Sequence, residues 1–130
     1  LTGAARIALG PELPPLYTDD EALAAGLLQA AAAVRDPLWR MPLWGGYRGA
    51  LEADIADLRN DPAGWAQAGS VTAALFLQRF APETGAWAHM DIFAWNPRGR
   101  PGWPEGGEAQ GIRACFRYLQ DRFAEKSEGR

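Results

Sequence analysis

Glycine and proline cut this 130-residue chain into short compartments, and that division limits what it can fold into. The 15 glycines and 10 prolines gather at Gly10–Pro15, Gly45-Gly46, Pro62–Gly64, Pro97–Pro104 and Gly106-Gly107. Proline fixes φ and removes a backbone donor, and glycine weakens helix and strand interiors alike. Regular elements must therefore fit between these clusters. The segments left over are periodic, so the clusters punctuate an ordered chain and do not mark low complexity. No uninterrupted apolar run approaches the ~20 residues of a membrane-spanning helix.

The segments between the clusters predict alternating strands and helices. Residues 5–9 alternate too little for a half-exposed strand, which predicts a short buried one, the chain opening as though already inside a sheet. Thr18-Asp19-Asp20-Glu21 reads as a capping box, with an Ala- and Leu-rich helix running on to about Val34. Leu38–Leu43 is short and apolar and is expected to be extended, with Pro42 placing it at an edge. Tyr47, Leu51, Ile55 and Leu58 recur at helical spacing, and Ser70 stands where it would cap a third helix. Trp87–Trp95 is the clearest strand candidate. Ile112, Phe116, Leu119 and Phe123 follow i, i+4, i+7 and i+11 and predict a terminal amphipathic helix. Such alternation implies an α/β layered architecture.

Composition narrows the function classes. Formal net charge is -3 and the isoelectric point about 5.1, so the electrostatic footprint of a nucleic-acid or anionic-membrane binder is absent. The single Cys115 forms no internal disulfide and fits a reducing compartment, which with the lack of a leader-like segment points to the cytoplasm.

Five stretches taken together resemble the C-terminal part of the catalytic domain of the leucyl aminopeptidase (cytosol aminopeptidase) family. They are Leu1-Thr2-Gly3-Ala4 with the run to Gly10, Leu38–Trp44, Ala53–Asn60, Ser70–Leu77, and Trp87-Ala88-His89-Met90-Asp91-Ile92. They occur in the family's order and cover most of the chain. The resemblance implies a partial mixed sheet flanked by helices, belonging to a larger α/β/α peptidase domain, with residues 1–130 a C-terminal fragment of it. It implies hydrolysis of the N-terminal residue from peptides by two divalent ions, zinc or manganese, in the complete enzyme, and assembly into a hexamer. It also implies that the family's metal ligands and catalytic residues precede the Leu-Thr-Gly-Ala stretch, partly in an Asn-Thr-Asp-Ala-Glu-Gly-Arg motif. This chain has no such motif. The chain alone is thus expected to bind no metal, to need the preceding part of the enzyme as its partner, and to be inactive.

Only substrate-side residues carry over. By resemblance the backbone of Leu1, Thr2 and Gly3 runs beside the metals and holds the peptide, as exposed main-chain groups can. The segment Phe93-Ala94-Trp95-Asn96 stands where the family lines the pocket for the first substrate side chain, which makes Phe93 and Asn96 the remaining candidates. The family usually has a small Ala-Gly pair at positions 93 and 94, so Phe93 is expected to reshape that pocket. The other function class to weigh is a non-catalytic α/β interaction module that kept the scaffold without the chemistry.

The residues themselves agree that no catalytic centre is spelled out here. A two-metal site needs several converging carboxylates, or carboxylates with histidine. Asp54 and Asp57 would share a helix face, a pattern that usually marks a solvated surface. His89, the sole histidine, is expected to be a hydrogen-bonded structural residue on one strand face with Asp91, and Cys115 an inert thiol. Without a basic groove beside them, the six Trp read as packing residues, and Gly99–Gly107 lacks the Gly-Lys-Ser/Thr of a phosphate cradle.

Overall fold

The structure is a computed structural model that describes residues 3–61 and 65–124. Its centre is a three-residue strand, β1 (Pro15–Tyr17), buried at every position. β2 (Trp39–Arg40) pairs with β1 in parallel and β3 (His89–Met90) pairs antiparallel on its other edge, giving a mixed sheet of order β2-β1-β3. Among the described residues four α-helices accompany it: α1 (Ala4–Leu9), α2 (Glu21–Val34), α3 (Gly69–Gln78) and α4 (Ile112–Phe123). A 3₁₀ helix spans Gly45–Leu51, and a separate hairpin pairs β4 (Trp95–Asn96) with β5 (Gly106–Gly107).

Neighbouring side chains of a strand point to opposite faces, and β1 uses both. Leu16 packs with Leu23 and Leu27 of α2 and with Met90, Cys115 and Tyr118. Tyr17 packs on the other side with Leu51, Val71, Ala74 and Leu75. The result is α2 and α4 on one face of the sheet and α3 with the 3₁₀ helix on the other. The mixed α/β fold expected from the sequence is present, with small sheets flanked by helices.

Several local expectations are overturned. Residues 4–9 form helix α1 and not a buried strand; Ala5 is its one buried residue, and Ile7 is 84% exposed. A short run of alanine, arginine and leucine satisfies its own backbone as a helix when no partner strand lies beside it. The first strand among the described residues is therefore β1, which is paired on both edges and leaves no uncovered opening strand. Asp20, not Thr18, is the N-cap of α2, its carboxylate accepting from the Leu23 amide at 2.8 Å. The Thr18 hydroxyl instead donates to the Trp87 carbonyl at 2.6 Å, and Glu21 forms a two-pronged pair with Arg40 at 2.5 Å. Ser70 lies inside the first turn of α3, which Ala68 caps at φ 50°, and its hydroxyl meets the Tyr17 hydroxyl.

The helix expected over 47–58 stops at Leu51, where Glu52 turns extended, so Asp54 and Asp57 share no helix face. Tyr47, Leu51 and Leu58 still reach the core, whereas Ile55 is fully exposed. The long strand over 87–95 is broken into β3 and β4 by Ala94 at φ 55°.

Helix α4 falls where its periodicity places it, but its apolar stripe does not face this core. Ile112, Phe116, Leu119 and Phe123 are all at least half exposed, and the helix packs through Ala114, Cys115 and Tyr118. Gly26 permits this contact: a Cβ there would lie 2.5 Å from the Tyr118 ring. Asp36 fixes the start of the helix. Its buried carboxylate accepts from the amides of Gly111 and Ala114, each at 3.1 Å, while its own amide donates to Ala31 at the end of α2. Asp36→Ala leaves two amides of α4 without this acceptor and should lower stability by about 1–3 kcal/mol. Urea unfolding of the purified protein measures it, and an unchanged midpoint would contradict the capping role.

Candidate functional site

The loop after α1 and the segment after β3 come together over a cavity of about 210 Å³, lined among others by Gly3, Arg6, Pro11, Pro14, Asp91 and Phe93. Gly3 stands at φ 76° as the N-cap of α1, a left-handed position that glycine adopts without strain. Arg6, one helical turn on, lays its guanidinium 4.5 Å from the centre of the Phe93 ring. Two of the sequence-predicted site residues, Gly3 and Phe93, thus share one pocket. Leu1 and Thr2 lie outside the described residues. Asn96 is elsewhere: it is buried, and its Nδ2 donates at 2.9 Å to the carbonyls of both Trp103 and Pro104, closing the loop of the β4–β5 hairpin.

Asp91 lines the pocket, and His89 stands two residues before it on β3. The His89 ring stacks with Tyr17, at 6.0 Å between centroids, and with Trp87, at 6.5 Å. Its Nε2 is buried with no hydrogen-bond partner among the described residues, and the ring serves there as an aromatic packing group. Burial holds the imidazole below its ordinary pKa, opposed by the Asp91 carboxylate. Burial likewise pushes the Tyr17 hydroxyl and the Cys115 thiol up, which keeps the thiol in its unreactive form. Among the described residues no three His, Cys, Asp or Glu side chains converge to hold a metal ion. The donors present do not fit a two-metal centre, and no catalytic step is assigned to them.

Sequence reasoning missed Arg6 and Gln110. Arg6 is the one charge in an otherwise apolar opening run, which was a usable signal. Gln110 is buried; it accepts from the Ala94 amide at 2.9 Å and donates to the Pro11 carbonyl at 2.7 Å, contacts that no spacing announces.

Residues 1–116 match the model of the cytosol aminopeptidase family, catalytic domain. The chain belongs to the cytosol aminopeptidase family. A probable cytosol aminopeptidase of Prochlorococcus marinus is 44% identical over 121 residues, 92% of this chain and 24% of the relative, and one of Geobacter sulfurreducens is 43% identical over 122. The chain thus spans about a quarter of the length of such relatives. Among solved structures, the cytosol aminopeptidase of Coxiella burnetii superposes with a TM-score of 0.82 at 49% identity, covering 95% of this chain and 27% of that one. The bottromycin maturation enzyme BotP, solved in complex with Mn, superposes with a TM-score of 0.82 at 33% identity, covering 94% and 27%. The cytosol aminopeptidase fold therefore extends to this chain. Among the described residues no helix is long and apolar enough to cross a membrane.

The lowered His89 pKa has a consequence for stability. Above the free imidazole value of about 6.5 neither folded nor unfolded chain is protonated there. As pH falls through it the unfolded chain takes the proton first, so stability drops until the folded imidazole titrates too. His89→Asn should flatten the dependence of the urea midpoint between pH 7.5 and 5.5. An equal slope in both proteins would show that His89 is not the group responsible.

Proposed function

We propose that this chain is the C-terminal fragment of the catalytic domain of a leucyl aminopeptidase-like enzyme that removes N-terminal residues from peptides. The observation that carries the reading is the meeting of Gly3 and Phe93, distant in sequence, in one pocket of a chain with this family's fold. In this reading the backbone of Leu1, Thr2 and Gly3 holds the extended peptide, and Phe93 forms a wall for the first side chain. Asn96 contributes by holding the hairpin loop that follows Phe93.

The hydrolytic chemistry would come from two divalent ions, zinc or manganese, held by protein outside residues 1–130. The Mn in the BotP complex supports this, as does the lack of a converging donor set among the described residues here. The exposed Ile112, Phe116, Leu119 and Phe123 support burial of α4 against further protein, either the preceding part of the enzyme or other subunits of a hexamer. A net charge of -3, together with no membrane-length helix among the described residues, fits a cytoplasmic peptidase with neither nucleic acid nor membrane as partner.

The 130-residue chain mixed with manganese and leucine p-nitroanilide should give no turnover, whereas the full-length protein containing it should hydrolyse that amide. Turnover by the repurified short chain would refute the assignment of the chemistry to the rest of the enzyme. A folded, manganese-loaded full-length protein that cleaves no aminoacyl amide would instead favour a non-catalytic α/β interaction module.

A further inference from the structure

Phe93 stands on an unusual piece of backbone. The next residue, Ala94, sits at φ 55°, a left-handed conformation that alanine seldom adopts unless its surroundings impose it. Here they do. The Ala94 amide donates to Gln110 Oε1 at 2.9 Å, and its carbonyl accepts from the Glu108 amide at 3.0 Å. The same Gln110 side chain, 7% exposed, donates from Nε2 to the carbonyl of Pro11 at 2.7 Å. One buried amide therefore joins the two segments whose residues line the pocket. Further out, Arg100 ties the loop after α1 to the stretch after β5, pairing with Glu12 on the first and at 3.3 Å with Glu108, whose amide meets Ala94, on the second.

The ring itself is held from α1. The Arg6 guanidinium lies 4.5 Å from its centre, and among the described residues Arg6 has no carboxylate partner. Its place over Phe93 is thus a stacking contact undiluted by an ion pair.

We infer that Gln110 and Arg6 are positioning residues that set the Phe93 ring across the pocket, and that the pocket so narrowed selects small N-terminal residues such as alanine over leucine. This rests on the aminopeptidase reading above. Without Gln110 the strained residue 94 relaxes and carries Phe93 away. Without Arg6 the ring is free to turn. Either change opens room for a larger substrate side chain.

The test is the ratio of kcat/KM for leucine and alanine p-nitroanilides, measured on the full-length manganese-loaded enzyme with folding checked by circular dichroism. The wild type should favour alanine. Gln110→Ala should move the ratio toward leucine by about 10-fold, the order a lost or gained methylene's fit produces. Arg6→Met should move it by about 2–5-fold, the scale of an exposed cation–π contact. Phe93→Ala should exceed both. Gln110→Glu keeps the acceptor for the Ala94 amide and should retain most of the wild-type ratio, which a general loss of packing would not restore. Unchanged ratios in Gln110→Ala and Arg6→Met, or a wild type that favours leucine, overturn the inference and leave the aminopeptidase reading standing. Failure of the folded wild type to cleave either amide overturns both. Should Gln110→Ala fail to fold, the exposed Arg6→Met decides alone.

Discussion

The rest of the structure depends on burying both faces of a three-residue strand. Leu16 and Tyr17 have no solvent exposure, and each organises a different layer of helices. Both edges are used as well, the Met41 amide reaching the Leu16 carbonyl at 3.0 Å and the Asp91 amide reaching Pro15 at 3.2 Å. A strand so short gains little from its own hydrogen bonds; its stability comes from the apolar area removed from water on its two faces. Even its one polar side chain is accounted for, the Tyr17 hydroxyl meeting Ser70 at the start of α3. The pocket inherits its position from this strand, since Pro14 and Pro15 enter β1 from one side and Asp91 leaves β3 beside it.

A second organising group is a carboxylate. Asp36 ends α2 with its backbone and begins α4 with its side chain, which places the C-terminal helix against α2 although its own cap, Gly111, has no side chain to offer. Gly111 is confined in turn: at φ 76° and with a Cβ position 2.8 Å from the Met90 sulfur, no larger residue fits without displacing its neighbours. With one face of α4 committed to α2, the Phe116 face is left outward. That division explains how a strongly amphipathic helix keeps its largest apolar residues out of the local core.

Legibility from sequence followed the range of the forces involved. The helices over 21–34 and 112–123 were readable because their signals, periodicity and composition, act within a turn or two. The extended Trp39-Arg40 edge was readable from Pro42 and its apolar neighbours. β1 was not, because Pro14-Pro15-Leu16 looks like punctuation until partners on both sides supply its hydrogen bonds. Residues 4–9 went the other way: too few to show a period, they form a helix. Of the candidate site, Gly3 and Phe93 were found through motif resemblance, whereas Gln110 was invisible because its two partners, Ala94 and Pro11, are set by tertiary packing.

The sequence by itself determined the class of the protein: a mixed α/β chain, mildly acidic, carrying the ordered motifs of the cytosol aminopeptidase family. Those properties reside in composition and local order, which survive without a fold. Only the tertiary structure decided which groups meet: that Arg6 lies on Phe93, that Asp36 caps a helix far along the chain, and that His89 stacks with Tyr17. Each of these is a contact between distant segments, and its geometry comes from burying β1 on both faces, which no local pattern encodes.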